Sequence, residues 1–255
     1  MNIKEIRDLE KKAANGWIAL ESEMYKGCEL RFAQGYTGRA NSVSVFEDSD
    51  ATIEEIVDYC ETKYKEKGLP CNFKVTDADK DLSNYLLNKG YKVVTPTDVM
   101  ILDLNDEGFL KQTTDVQKIM ENVEFAAENK GWIESYFEFE GFTDEKKKAV
   151  YKKIHSNVKV PQIYVTVYYE GKVVAVASVA NEDGYSLLHN VIVDEKYRGL
   201  GLGKKLCLAA ILKSKEMGAK YSYLQVIKDN NVAINLYKKL GFVKVYEYCY
   251  LKQSL

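Results

Sequence analysis

Residues Tyr197–Leu206 read YRGLGLGKKL. Gly199, Gly201 and Gly203 alternate with Leu200 and Leu202, Arg198 precedes them, and Lys204 and Lys205 follow. An apolar run ends just upstream at Val193, and an amphipathic pattern continues downstream to about Met217. The glycines therefore sit at a strand-to-helix junction. A helix N-terminus offers unsatisfied N–H groups and a partial positive charge. Glycine lets the backbone turn sharply and approach a ligand closely, so a phosphate can settle on the N–H groups themselves. The stretch predicts a pyrophosphate cradle; the plainer alternative is a tight turn flanked by solvated cations. A P-loop would end in GKS or GKT, and here Lys205 follows Gly203-Lys204. A dinucleotide GxGxxG would place its last glycine one residue later.

Working outward, QIYVTVYY (162–169), KVVAVASVA (172–180) and SLLHNVIV (186–193) read as strands separated by turn residues. After the glycines come a helix closed near Gly218, a strand in AKYSYLQV, a helix over 230–239 stopped by Gly241, and a long strand FVKVYEYCYLK. The first part of the chain repeats this order. CELRFA and NSVSVF read as strands, Thr52–Lys67 as a helix, CNFKVT as a strand, Asp79–Asn88 as a helix and TDVMILDL as a strand. LLNKGYKVV (86–94) matches LYKKLGFVKV (236–245) in detail. The reading is an α/β chain with an internal duplication, divided at 1–105 and 106–255. Where the second half has its glycines, the first has the acidic, glycine-free FEDSDATIEE. Only the second half is expected to hold an anion.

Composition narrows the function classes. The chain has 255 residues, 46% of them hydrophobic, and a net charge of -2. With 38 acidic against 36 basic residues there is no basic excess to draw nucleic acid. No apolar run is long enough to span a membrane. The N-terminal MNIKEIRDLEKKAANGW reads as a charged helix and not as a signal peptide. Cys28, Cys60, Cys71, Cys207 and Cys249 lack CxxC spacing, so reduced thiols in the cytoplasm are expected. Two His and no clustered ligands predict no metal site.

Arg198-x-x-Gly201-x-Gly203 resembles the acyl-CoA signature of the GNAT superfamily of N-acetyltransferases. DNNVAINLYKKLGF resembles that family's second motif through Asn230, Ala233, Leu236, Tyr237, Gly241 and Phe242. The likeness covers roughly residues 115–255. The stretch WIALESEMYKGCELRFAQGYTGRANSV is similar to the start of bacterial GNAT proteins that carry a degenerate first half. The resemblance implies a tandem GNAT fold, a mixed sheet flanked by helices, with the first half truncated and the second splayed open around Val193. It implies acetyl-CoA as donor and the primary amine of a small molecule or peptide as acceptor. Val191 and Val193 would contact the pantetheine arm and polarise the thioester, and Arg198, Gly199, Leu200, Gly201, Leu202, Gly203 and Lys204 would hold the pyrophosphate. Asn230 would touch the cofactor or cap its helix. Tyr237 would be the general acid, unless it is only a core aromatic. Some relatives carry a Glu base where this chain has Gln225; Gln225, His189, Glu182, Asp183, Glu134, Glu138, Glu140 and a water relay all stay open. For the acceptor, the resemblance points to residues 131–142, where Glu134 and Glu138 lie among aromatics, and to Arg31 and Arg39, which would bind a carboxylate or fasten the halves together. A monomer or weak homodimer is expected. The rival reading is an acyl-CoA- or metabolite-sensing module without turnover.

Overall fold

The structure is a computed structural model that describes residues 1–253. In chain order it contains α1 (Ile3–Asn15), β1 (Glu21–Tyr25), β2 (Cys28–Phe32), β3 (Val43–Val45), α2 (Ile53–Glu66), β4 (Asn72–Thr76), α3 (Lys80–Asn88) and β5 (Lys92–Asp103). Then follow α4 (Glu107–Gln112), α5 (Val116–Met120), β6 (Val123–Ala126), α6 (Trp132–Phe139), α7 (Glu145–Asn157), β7 (Gln162–Tyr169), β8 (Lys172–Glu182) and β9 (Tyr185–Val193). The chain ends with α8 (Leu202–Glu216), β10 (Tyr221–Ile227), α9 (Asn231–Leu240) and β11 (Val243–Lys252).

The chain packs as two compact units, and neither is contiguous. Unit 1 comprises Met1–Asp98, Ala149–Val158 and Val245–Leu255; unit 2 comprises Val99–Lys148 and Lys159–Lys244. In unit 1, β1 and β2 form a hairpin, β2 pairs antiparallel with β3, and β3 runs parallel to β4. The antiparallel partner of β4 is β11, from Tyr248↔Thr76 to Lys252↔Asn72. In unit 2, β6, β7, β8 and β9 form an antiparallel series, and β9 pairs parallel with β10. The other neighbour of β10 is β5, whose residues from Val99 onward belong to unit 2. Each unit thus takes its last strand from the other half of the sequence. The repeat expected from the sequence divides at residue 105; the packing divides elsewhere because these last strands come from the other half of the sequence.

Local chemistry explains the elements. α1 opens with a capping box between Asn2 and Glu5 and buries Ile6, Leu9 and Ala13 on one face. β8 is buried along nearly its whole length, as a central strand covered on both faces should be. The unit 2 core joins that strand to Leu206, Cys207, Ala210 and Ile211 of α8 and to Leu240 and Phe242. The unit 1 core gathers Leu30, Val57, Cys60, Tyr64, Phe73 and Leu86. Among the described residues, no helix is long and apolar enough to cross a membrane, and no group of His, Cys, Asp and Glu is placed to hold a metal.

Candidate active site

The glycine loop begins where β9 ends. A single 3-10 turn over Glu195–Tyr197 leads to Arg198, which is extended at φ -67° and ψ 155°. Gly199 and Gly201 both take positive φ, 84° and 77°, a backbone that a Cβ would disfavour by about 1–2 kcal/mol. Gly201 is also the cap residue of α8, and it supplies no side-chain acceptor to the helix. The first turn of α8 contains no acidic residue, so the positive end of the helix dipole is not offset locally. Arg198, Leu200 and Lys204 are exposed around it, and Leu202 turns inward. The Arg198 Nε–H donates to the Val193 carbonyl at 3.4 Å, and Nη1 lies 4.0 Å from Glu195. Gly203 serves a different purpose. A Cβ there would lie 3.5 Å from Leu236 Cδ2 and 3.6 Å from Val193 Cγ2. The first turn of α8 therefore sits directly against both the end of β9 and α9.

β9 carries a bulge next to Val191, one of the expected contact positions. The register with β8 shifts between Val176↔Ile192 and Ser178↔His189. Asn190 and Val191 oppose the single residue Ala177, which is the pattern of a β-bulge. Asn190 has φ 55°, a left-handed conformation that asparagine tolerates better than most residues. Its side-chain amide donates to Ser178 Oγ at 2.8 Å and lies 3.3 Å from His189 Nδ1. Ser178 and His189 are both buried. Val191 and Val193, the expected contact positions, are half-buried. The parallel register between β9 and β10 ends at Leu187 and Tyr223, although the strands run on to Val193 and Ile227. The sheet is therefore splayed beside the bulge.

Tyr237 lies on α9, one residue after Leu236, and is only 8% exposed. Its ring meets Phe242 edge-on at 5.9 Å. Burial, and secondarily Cys207, pushes its phenol well above the ordinary value, so the hydroxyl stays protonated. Asn230 caps α9, its side chain accepting from the Ala233 N–H at 3.1 Å. Gln225 is half-buried on the part of β10 that has left β9.

Other candidates fall elsewhere. Glu182 and Asp183 flank the β8–β9 turn, at the opposite end of β9 from Val193; eight strand residues separate them by about 26 Å. They are corrected out of the base candidates. On α6, Glu134 and Glu138 are exposed, whereas Trp132, Tyr136 and Phe137 are buried and serve as core. Those three rings are therefore packed into the protein, while Phe139 and Phe142 are half-buried. Arg31 is 5% exposed in unit 1. Its guanidinium donates to the carbonyls of Ala14, Trp17 and Arg39, and Nε lies 3.5 Å from Glu29. These bonds tie the end of α1 to β2 inside one unit. Arg39 stacks over Trp17 at 4.2 Å, also within unit 1. Sequence reading passed over Asn190 and Ser178, for which the HN pair at 189–190 was the only signal available.

The corresponding loop of unit 1 is chemically opposite. Thr52 caps α2 by accepting from the Glu55 N–H, and Glu54 and Glu55 fill the first turn. The cleft beside it, about 780 Å³, is lined by Glu47, Asp48, Asp77, Asp79 and Asp81 against Arg7, Lys26 and Lys80.

The family described as "Acetyltransferase (GNAT) family" matches residues 126–242. The chain is 30% identical over 250 residues to the uncharacterized N-acetyltransferase YobR of Bacillus subtilis (strain 168), covering 96% of this chain and 98% of that protein. A shorter stretch of 87 residues, 31% of this chain, is 37% identical to 57% of the spermine/spermidine N(1)-acetyltransferase of the same strain. Among solved structures, a GCN5-related N-acetyltransferase from Kribbella flavida matches with a TM-score of 0.69 at 14% identity, over 98% of this chain and 95% of that one. A tandem GNAT protein from the clavulanic acid biosynthesis pathway matches with a TM-score of 0.63 at 12% identity, over 83% and 74%.

Proposed function

The chain belongs to the GNAT family of acetyltransferases, and from that premise we propose that it transfers an acetyl group from acetyl-CoA to the primary amine of a cationic small molecule or peptide. Acetyl-CoA supplies the acetyl group as a thioester. The observation that carries the reading is the pairing of two backbone devices: the uncapped, acid-free start of α8 behind Gly201, and the bulge that takes Asn190 and Val191 out of the β8–β9 ladder.

Each part of the chemistry falls to a named group. The N–H groups between Gly199 and Lys204 receive the pyrophosphate, with Arg198 and Lys204 adding charge. The backbone N–H groups of Val191 and Val193 hold the pantetheine arm, and one of them meets the thioester oxygen. Such a donor contributes on the order of 2.7–4 kcal/mol when charge develops on oxygen. The amine nitrogen bonds to the carbonyl carbon as the carbon–sulfur bond breaks. Tyr237 gives its hydroxyl proton to the departing sulfur, a role supported by its place on α9 one residue after Leu236, whose side chain lies against Gly203. The proton from the amine leaves through water ordered by Gln225 and His189. Glu134 and Glu138 face the solvent on α6 and favour a cationic acceptor; the polyamine named for one relative is of that class. Residues 1–105 are a degenerate GNAT-like domain that binds no CoA, the strand–helix order of which parallels that of 106–255. The protein works as a monomer or weak homodimer in the cytoplasm, where its free cysteines stay reduced.

The test is CoA release from acetyl-CoA across polyamines, amino acids, aminoglycosides and peptides. At least one amine class should be turned over. Tyr237→Phe should lower kcat by about 10²-fold or more with CoA affinity nearly intact; wild-type turnover in that variant removes Tyr237 as the acid. Acetyl-CoA binding without release in the wild type would favour a sensing module, the reading that Gln225 in place of a carboxylate supports.

A further inference from the structure

We propose that Asn190 is a positioning residue for His189: its side-chain amide fixes the imidazole as the Nε2–H tautomer, so that the ring serves acetyl transfer as a hydrogen-bond donor and not as the base. The proposal deepens the reading above, in which His189 helps to order the water that carries the amine's proton away, and it rests on that reading.

His189 stands on the face of the sheet that α6 covers. Tyr164, Ser178 and His189 lie opposite one another across β7, β8 and β9, and the Trp132 ring of α6 is 5.0 Å from that of Tyr164. The strand then bulges at Asn190, whose φ of 55° suits asparagine. The Asn190 Nδ2 reaches Ser178 Oγ at 2.8 Å and His189 Nδ1 at 3.3 Å. An amide nitrogen carries two hydrogens and accepts none. His189 Nδ1 is therefore the acceptor of this pair, which leaves the ring hydrogen on Nε2. Ser178 sets the same polarity from the other side. Its hydroxyl donates to the His189 carbonyl at 3.5 Å, so it turns a lone pair toward the amide. Ser178 is fully buried and His189 is 6% exposed, which shelters both contacts from bulk water.

A ring held this way could act as a base only by binding a proton at Nδ1, against an N–H that already points at it. Its Nε2–H instead donates to the oxygen of the relay water. That water takes the amine's proton on its remaining lone pair and passes one on to solvent. An aspartate at 190 would do the reverse. It would accept from Nδ1–H and hold Nε2 as an acceptor, the arrangement in which imidazole works as a general base.

The chain has two histidines, so ¹⁵N-histidine labelling gives two imidazole signals, and His155→Phe identifies which is His189. At about pH 8, above the ordinary imidazole range, the ring nitrogen shifts of the wild type should place the hydrogen of His189 on Nε2. In Asn190→Asp it should move to Nδ1. His189→Gln brings a donor toward the Nε2 position but accepts no proton there. It should lose no more than about tenfold in kcat, the scale of one hydrogen bond. An Nδ1–H tautomer in the wild type, or an unmoved hydrogen in Asn190→Asp, overturns the proposal. So does a loss of about 10²-fold or more in His189→Gln, the mark of a missing base. Should Asn190→Asp not fold, the wild-type tautomer and His189→Gln decide. The tautomer is read without turnover, so the two failures are told apart: no turnover of any amine by the wild type overturns the acetyl-transfer reading and the donor role with it.

Discussion

Tyr237 and His155 are rings driven into apolar surroundings, and burial acts on them in opposite directions. Both are held neutral: the phenol by a raised pKa, the imidazole by one pushed down to about 3, chiefly by burial and then by Arg39. His155 packs against Trp17 at 5.2 Å and Tyr151 at 4.8 Å in unit 1. Unfolded, it titrates near 6.5. Between pH 6.5 and about 3 the unfolded chain binds the extra proton, so acidification favours unfolding. The contribution is intact above pH 6.5 and is lost progressively as pH falls. His155→Phe should flatten the pH dependence of denaturant unfolding by up to about 1.4 kcal/mol per pH unit across that window. An identical slope in both proteins would contradict this. At this scale the sequence was legible where a residue type carries its own demand: Gly201 at the helix start, Asn230 as a cap. It was opaque at Arg31, whose partners are backbone carbonyls brought together by folding.

α2 and α8 occupy matching places in the proposed repeat, and their first turns are built for opposite ends. Thr52, Glu54 and Glu55 already satisfy and neutralise the start of α2; nothing in the sequence does so for α8. That contrast could be read directly from FEDSDATIEE against YRGLGLGKK. The helices 53–66 and 202–216 and the strands 162–169 and 185–193 were likewise legible, because glycine turns bound clear periodic patterns. β1 was not: ESEMY is polar and largely exposed, so it has no apolar alternation to detect. The helix α7, rich in lysine, is placed by burying Val150, Tyr151 and Ile154 in tertiary contact. The exchange of β5 and β11 was invisible, since strand pairing is not encoded in local period. It carries a prediction. Val99, Met100 and Leu102 of β5 are buried in unit 2, and removing them leaves an edge on β10 open. Tagged halves 1–105 and 106–255, expressed together, should copurify, and each alone should aggregate or lack cooperative unfolding. A monomeric, cooperatively folded half would refute the exchange.

At the scale of the whole molecule, the proposed account is of a repeat that keeps one anion site. Its net charge of -2 provides no general attraction for CoA, so binding must come from local backbone and the few cations at 198–205. The cleft of unit 1, with five carboxylates against three cations, would repel the same phosphates. Calorimetric titration of acetyl-CoA into the full chain, beside the Arg198→Glu variant, tests this most directly. The account predicts one acetyl-CoA bound per chain, with affinity lowered by at least about tenfold in the variant, the effect of reversing a phosphate-facing charge. Two equivalents per chain, no binding by folded protein, or unchanged affinity in Arg198→Glu would contradict it.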